Sequence, residues 1–261
     1  MLTLDSSALL QEAAALLRQQ GQLLHSRTLA GQTRAKGKTD FVTAVDTRVQ
    51  ENIRMALEQL TPGAALMAEE KDNAAVDLNG AVWVLDPVDG TTNLIHGFRH
   101  SAISLALAVE GRVELGLIYD PYADELFTAR RGKGAFCNGE PIHVSGAAAL
   151  ADSLCSVGTN PGCRDQADAA FARMRRIYDR CHDVRRVGAA SIELCYVACG
   201  RLDAYLEHGL KPWDYAAGML IVAEAGGRVT DFAGDAPLLD ASRCAILATN
   251  GQIHSELQSL L

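Results

Sequence analysis

What this chain lacks narrows the field first. It has no run of about 18 apolar residues, so no membrane span is expected. Its start has no basic segment ahead of an apolar run, and Gln11 and Glu12 interrupt the apolar positions. A secretory signal is therefore not expected, and the expected location is the cytoplasm. The seven cysteines are scattered and odd in number, with no C-x-x-C pair. That argues against a zinc knuckle or a disulfide framework and for reduced thiols. Cys195 and Cys199, which share a helix face by spacing, read as small core residues. Positive charge is also short. A net charge of −8 excludes a basic footprint over the whole surface, and with it sequence-independent nucleic-acid binding as the main activity. No internal repeat, low-complexity segment or long linker is present.

What is there is a chain of 261 residues with ordinary globular composition, long enough for a large core. Apolar positions from Leu9 to Leu24 fit an amphipathic helix capped by Ser6 or Ser7. Residues 28–40 are polar and read as a loop. A second helix is expected over 47–60, ended by Pro62-Gly63. Residues 101–137 break into apolar or alternating runs separated by Glu110-Gly111, Asp120-Pro121 and Arg131-Gly132, the pattern of an antiparallel meander. A hairpin turn is expected at Asn138-Gly139. Beyond about 150 strands and helices alternate, with helices over 166–180, 190–198 and 215–225 and at the end of the chain. Strands are expected over 154–158, 184–187, 203–207, 228–232 and 245–249. The fold class expected is α/β in layers, with two α+β halves, 1–145 and 146–261, sharing one core.

The run 83–97, WVLDPVDGTTNLIHG, carries the most chemistry. A short β-prone stretch is expected to stop at Asp86-Pro87, because proline lacks a ladder donor. Asp86 and Asp89 follow, three residues apart, and Gly90, Thr91 and Thr92 favour a turn into a helix. Two carboxylates at a strand end suit a hard cation such as Mg²⁺. Amides and hydroxyls on the next turn suit a phosphate. Glu69, after the apolar segment 64–68, and Asp214, after Trp213 at a helix start, have similar local chemistry. Each acid also has a plainer reading: Glu69 as a solvated loop acid, Asp89 as a turn residue, Asp214 as an N-cap.

Taken together, Asp40 to Asp46 (DFVTAVD), Glu69-Glu70, Asp86 to Asn93 (DPVDGTTN), Trp213 to Ala217 (WDYAA) and Glu224 to Gly227 (EAGG) resemble the inositol monophosphatase family, in the expected order over residues 36–230. The resemblance implies a five-layer α-β-α-β-α sandwich, usually a homodimer, and a lithium-sensitive, Mg²⁺-dependent phosphatase. It implies that Glu69, Asp86 and the Val88 carbonyl hold one Mg²⁺ and that Asp86, Asp89 and Asp214 hold another, with two or three ions per subunit. Gly90, Thr91 and Thr92 would contact phosphate, and Asp89, Ala190 and Glu207 the substrate. Glu69, Thr91 and Asp46 would activate the attacking water. Asp46 has an equal alternative as a cap for the second helix, and Lys36 is a further candidate near the metal site. An oxygen-only ligand set with no His or Cys favours Mg²⁺ or Mn²⁺ over Zn²⁺. An aspartyl-phosphate mechanism through Asp86 or Asp89 is disfavoured, because haloacid-dehalogenase-type motifs arrange their aspartates differently.

The Asp-Gly-Thr-Thr-Asn form of the motif points to inositol-1-phosphate or a related small polyol or sugar monophosphate. Fructose-1,6-bisphosphate, histidinol phosphate and 3′-phosphonucleotides are the alternatives. Ala68, Leu94 and Ala189 depart from the family's usual glycine, phenylalanine and Ser or Thr. Arg173, Arg175, Arg176, Arg180, Arg185 and Arg186 form a basic concentration in an acidic chain. It reads as a solvated helix face with dimer contacts, or as a surface for RNA or the transcription machinery.

Overall fold

The computed structural model describes residues 6–37, 41–240 and 242–261. Asp40, the first residue of the DFVTAVD motif, lies outside them. The main elements are α1 (Ser6–Gly21), α2 (Arg27–Ala30), β1 (Thr33–Ala35), β2 (Phe41–Thr43), α3 (Ala44–Leu60), β3 (Ala65–Ala68), β4 (Ala81–Asp89) and α4 (Thr91–His96). There follow β5 (Ala102–Val109), β6 (Arg112–Asp120), β7 (Glu125–Arg130), β8 (Ala135–Cys137), β9 (Glu140–Ile142), β10 (Leu154–Val157), α5 (Ala167–Tyr178) and β11 (Asp183–Arg185). The last are α6 (Ala190–Ala198), β12 (Ala204–Leu210), α7 (Pro212–Glu224), β13 (Arg228–Thr230), β14 (Cys244–Thr249) and α8 (His254–Gln258).

Strands β3 to β9 form one sheet in chain order, antiparallel except for the parallel β3–β4 pair. A second sheet runs β11-β10-β12-β14-β13. Period-two alternation on β5 explains how the layers stack. Ile103, Leu105 and Leu107 face the cluster holding α1 and α3. Ala102, Ala106 and Ala108 face the cluster holding α6 and α7. The small residues let α7 approach closely. A Cβ on Gly116 of β6 would lie 2.7 Å from the Ala217 carbonyl oxygen of α7. Ile177 of α5 and Leu257 of α8 pack the outer face of the second sheet. The result is the α-β-α-β-α sandwich. Trp83 shows how its polar atoms are satisfied: the indole is buried under α3 and donates to Thr61 Oγ1 at 2.8 Å.

Several boundaries differ from those expected. Segment 28–40 is not all loop: α2 is capped by Ser26 Oγ, and β1 pairs with β2. Ser6 and Ser7 lie inside α1 rather than capping it. Helix α3 starts at Ala44, not 47, because Thr43 caps it and Asp46 at its third position returns a bond to the Thr43 amide, a capping box. Asp214 is likewise the third residue of α7, not its N-cap. It accepts from the Lys211 amide at 2.7 Å, and Pro212 occupies the first helical position. Helix α5 is preceded by a 3₁₀ stretch from Pro161.

Strand β4 does not stop at Pro87. It runs to Asp89 through a bulge, and this is what builds the site. Asp86 pairs with Ser104 and Asp89 with Ala102, so the step of three on β4 matches a step of two on β5. In a regular strand residues three apart face opposite sides. The extra residue puts both aspartates on the same side.

Candidate active site

One cleft of about 420 Å³ collects nearly every residue singled out from the sequence. Lys36, Glu69, Asp86, Val88, Asp89, Gly90, Thr91, Thr92, Ala190, Glu207 and Asp214 all line it. Asp46 does not. It is completely buried behind the cleft, where its Oδ1 faces Thr91 Oγ1 at 3.1 Å.

Each acid is delivered by a different device. Glu69 follows the end of β3, with its amide bonded to the Leu85 carbonyl. Asp86 and Asp89 come from the β4 bulge. Asp86 Oδ1 accepts from the Val88 amide at 2.9 Å, which fixes the Val88 carbonyl in the turn. Asp214 hangs from the first turn of α7. Three helix N-termini (α3, α6 and α7) supply donors to this acidic zone, which offsets part of its charge. The Ser191 amide of α6 donates to Asp89 Oδ2 at 2.7 Å, and the Ser191 hydroxyl donates to the same oxygen.

The phosphate-turn candidate begins with Gly90, in the left-handed region at φ +82°. A Cβ there would sit 2.8 Å from the His100 carbonyl oxygen, so only glycine fits without displacement. The turn is tied down on both flanks. Ser101 Oγ donates to the Gly90 carbonyl, and Asn93 Nδ2 donates to the carbonyls of His100, Val187 and Gly188. The opposite wall, 187–189, is held from beneath by buried Glu193. It accepts from the amides of Val187, Gly188 and Ala189 and from Ser156 Oγ.

The electrostatics follow from burial. Desolvation pushes the Glu69 carboxyl up to about 7, against the nearby Lys36 ammonium. Desolvation raises Asp86 well above its ordinary range, reinforced by Glu69, Asp89 and Asp214. Asp89 is pushed to about 6 by burial, with Ser191 holding it down. Asp214 is raised by burial and by Asp89 and Glu69. Lys36 Nζ bridges Glu69 at 2.8 Å and Glu70 at 2.6 Å. Glu207 is buried and accepts from the Asn160 amide and the Tyr205 hydroxyl, both at 2.7 Å.

Carboxylates that drive one another's pKa upward form a set to be neutralised by protons or by a cation. The donors are all oxygen and mostly anionic, and they come from separate segments beside a phosphate-type turn. That chemistry fits Mg²⁺. Among the described residues no three acidic, His or Cys side chains are closed up as a finished cage.

Sequence reasoning missed Ser191, Glu193, Asn93 and Asn160 as supports of this site. Asn93 had drawn notice only as the end of the DPVDGTTN motif, and Ala189 only for standing where the family usually has Ser or Thr. The hydroxyl that reaches Asp89 is two residues later. Arg186 and Arg243 also line the cleft.

A profile of the inositol monophosphatase family matches residues 3–261. Among curated relatives, Nus factor SuhB of Pasteurella multocida is 41% identical over 203 residues, 78% of this chain and 76% of that protein. Among solved structures, extragenic suppressor protein suhB of Bartonella henselae superposes with a TM-score of 0.90 at 32% identity, over 97% of this chain and 98% of the other. An inositol monophosphatase from Anabaena gives a TM-score of 0.85 at 34% identity, over 97% and 95%. No helix among the described residues is long and apolar enough to cross a membrane.

Proposed function

This chain belongs to the inositol monophosphatase family, and on that premise we propose that it hydrolyses inositol-1-phosphate or a closely related small polyol monophosphate. The coarser activity, a Mg²⁺-dependent phosphomonoesterase, comes with the family. The observation that carries the finer reading is the convergence of Glu69, Asp86, Asp89 and Asp214 beside the Gly90–Thr92 turn, with Glu207 in the same cleft.

Glu69, Asp86, Asp89, Asp214 and the Val88 carbonyl would hold Mg²⁺. When bound, it supplies Lewis-acid stabilisation of charge on phosphate and leaving oxygens and acidifies water. Thr91 Oγ1 has two acceptors for its single hydrogen, Asp46 Oδ1 and the Val88 carbonyl at 2.9 Å. Its lone pairs are left to receive a hydrogen bond from the attacking water. As the water attacks phosphorus, its proton passes to Thr91 Oγ1 and the threonine proton passes to Asp46. Burial raises the Asp46 carboxyl, which makes it a better proton acceptor than an exposed aspartate. The transition state is loose, with charge on three equatorial oxygens, and the first amides of the α4 turn would receive it. Glu207 would accept from ring hydroxyls.

The test is a Mg²⁺-dependent assay against inositol-1-phosphate, glycerol-2-phosphate, histidinol phosphate and 3′-phosphoadenosine 5′-phosphate, with Asp89→Asn alongside. The reading expects inositol-1-phosphate to lead and Asp89→Asn to lose nearly all turnover while staying folded. Wild-type rate in Asp89→Asn would remove the ligand assignment. Lithium inhibition and a homodimer rest on the family likeness and are checked by Li⁺ titration and light scattering.

A second reading, a surface for RNA or the transcription machinery, draws on the arginines between Arg173 and Arg186, in and around α5 and β11, and on relatives that carry the name Nus factor. Part of that charge is already engaged. Arg175 pairs with Asp179, Arg185 with Asp183, and Arg176 binds the Leu260 carbonyl. Neutralising Arg173 and Arg180 should abolish binding to RNA or polymerase at low salt while phosphatase activity remains. No binding in the parent protein removes this reading.

A further inference from the structure

Glu207 is gripped by both of its carboxylate oxygens. It follows Tyr205 by two residues on β12, so both side chains leave the same face of the second sheet, toward the layer of α6 and α7. The intervening Leu206 points the other way, into the outer core. Tyr205 is fully buried, and its hydroxyl donates to Glu207 Oε2 at 2.7 Å. The Asn160 amide donates to Oε1 at 2.7 Å. Two neighbours serve this grip. Strand β10 runs beside β12 up to Val157, and Gly158 comes next, its amide on the Leu206 carbonyl at 2.8 Å. A Cβ there would collide with the Glu207 carboxylate, so glycine opens the space that the carboxylate fills. Asn160 takes a positive φ of +36° and spends its side-chain amide on the carbonyls of His208 and Gly209, just past Glu207. That latch keeps its backbone amide on Oε1.

The Tyr205 hydroxyl has one hydrogen, and it goes to Glu207. The phenol does not line the cleft, so it acts on a substrate only through that carboxylate. Burial, Glu207 and Glu193 push the phenol well above its ordinary range, so it remains a donor. Burial raises the Glu207 carboxyl, while the Tyr205 hydroxyl, the Asn160 amide and the charge of Arg186 hold it down. A carboxylate has about four lone-pair sites. One on each oxygen is taken, which leaves one on each for substrate hydroxyls, in a direction set by the two internal donors.

We propose that Tyr205 is a positioning residue for substrate selection: it fixes the rotation of the Glu207 carboxylate, and so makes the cleft discriminate a polyol phosphate from the ester of an unhydroxylated alcohol. This rests on the polyol monophosphatase reading and adds what sets its selectivity. Without the phenol hydroxyl one oxygen loses its internal donor, and the carboxylate is free to turn about its terminal bond, a torsion with a broad minimum. A site that accepts from substrate hydroxyls discriminates only while its acceptor stays in place.

The test pairs inositol-1-phosphate with cyclohexyl phosphate, the same ring and ester without hydroxyls, at saturating Mg²⁺. The parent, Tyr205→Phe, Glu207→Gln and the double variant are compared. Tyr205→Phe keeps the ring in the core and deletes one oxygen, and melting curves establish that each variant is folded. The parent should favour inositol-1-phosphate in kcat/KM, and Glu207→Gln should remove most of that preference. Tyr205→Phe should cut it by roughly tenfold, chiefly by raising KM for inositol-1-phosphate. The two losses should not add, because both act through one contact. If Tyr205→Phe lowers turnover of both esters equally, or adds its full loss to that of Glu207→Gln, the tyrosine supports the site as a whole and the inference is overturned. A parent-like preference in Tyr205→Phe, with the preference lost in Glu207→Gln, overturns it too and leaves the polyol reading standing. If Glu207→Gln keeps the full preference, or the parent has none, the polyol reading falls and this inference falls with it.

Discussion

Replacing Ser191 by alanine isolates one support of the proposed metal site without touching a proposed ligand. Asp89 is nearly buried, and its Oδ2 takes two bonds from one residue, the Ser191 amide at 2.7 Å and the Ser191 hydroxyl. Alanine keeps the first and deletes the second. A hydrogen bond to a charged group contributes roughly 1.5–3 kcal/mol. At about 1.4 kcal/mol per pKa unit, the Asp89 carboxyl should rise by about one to two units above its already raised position. A ligand less firmly held as a carboxylate competes less well for a cation. Partners of this kind typically change metal affinity by about ten- to a hundredfold when removed. Ser191 is buried and small, so the fold should survive the change. Calorimetric titration with Mg²⁺ at pH 7.5 measures the affinity directly, and the Mg²⁺ dependence of turnover measures it again. Both should move together, with much of kcat recovered at saturating Mg²⁺. An affinity within twofold of the parent would show that Asp89 does not depend on the hydroxyl, or does not bind the metal.

Gly90→Ala should lower stability by about 1–3 kcal/mol, from a left-handed backbone and a contact with the His100 carbonyl. At roughly 2–4 °C per kcal/mol the melting temperature should fall by several degrees, and activity should fall with it because the turn must move. A parent-like melting curve would contradict the geometry. The raised carboxyls make Mg²⁺ stabilisation depend on pH. A folded pKa above the unfolded value contributes stability that is complete below the unfolded pKa, near 4.5 for Glu69, and is lost as pH rises through about 7. The metal-free protein should therefore be hurt more at pH 8 than at pH 5.5, and the gain in melting temperature on adding Mg²⁺ should grow over that range. Calorimetry in buffers of different ionisation enthalpy should also show protons released on Mg²⁺ binding at pH 7, and no buffer dependence would refute it. His254 has the opposite sign. It is buried between Thr249 Oγ1 and Thr230 Oγ1, and burial lowers it to about 4. Its contribution is full above about 6.5 and lost as pH falls toward 4, so a His254→Gln variant should lose less stability than the parent between those limits in urea titrations.

The layered fold was legible because its signals are local. The meander announces itself by alternation and turn pairs, and α6 and α7 by apolar runs ending in glycine. What was hidden depended on pairing. Pro87 reads as a strand stop because it cannot donate to a ladder, yet β4 continues, since at a bulge the missing donor is not needed. Helix α3 seemed to begin after Asp46, because Thr43 and Asp46 both have capping chemistry and only their mutual bonds show which is the cap. The ligand candidates were visible through their motifs. Their supports were not, because Ser191 and Glu193 are unremarkable on a helix until the fold brings Asp89 and the 187–189 wall against them.

The same comparison explains how an acidic chain can gather acids around an anionic substrate. Two unit charges 4 Å apart cost roughly 4 kcal/mol at an effective dielectric near 20, and several such pairs would rival the stability of a whole domain. The chain meets this with short-range compensation rather than with net positive charge. Asp46 and Asp214 are held by amides at their own helix starts, Asp89 by the start of α6, and Glu69 by Lys36. Each device neutralises part of one carboxylate while leaving it in the cleft or behind it. The site is therefore poised: stable enough to fold with its acids together, and charged enough to be stabilised further by a divalent cation. The cost of assembling the acids and the affinity for metal have the same origin, so a substitution that relieves the first, such as Asp86→Asn, should raise the melting temperature of the metal-free protein while removing most of its response to Mg²⁺. A variant that gained stability and kept the full Mg²⁺ response would break that link.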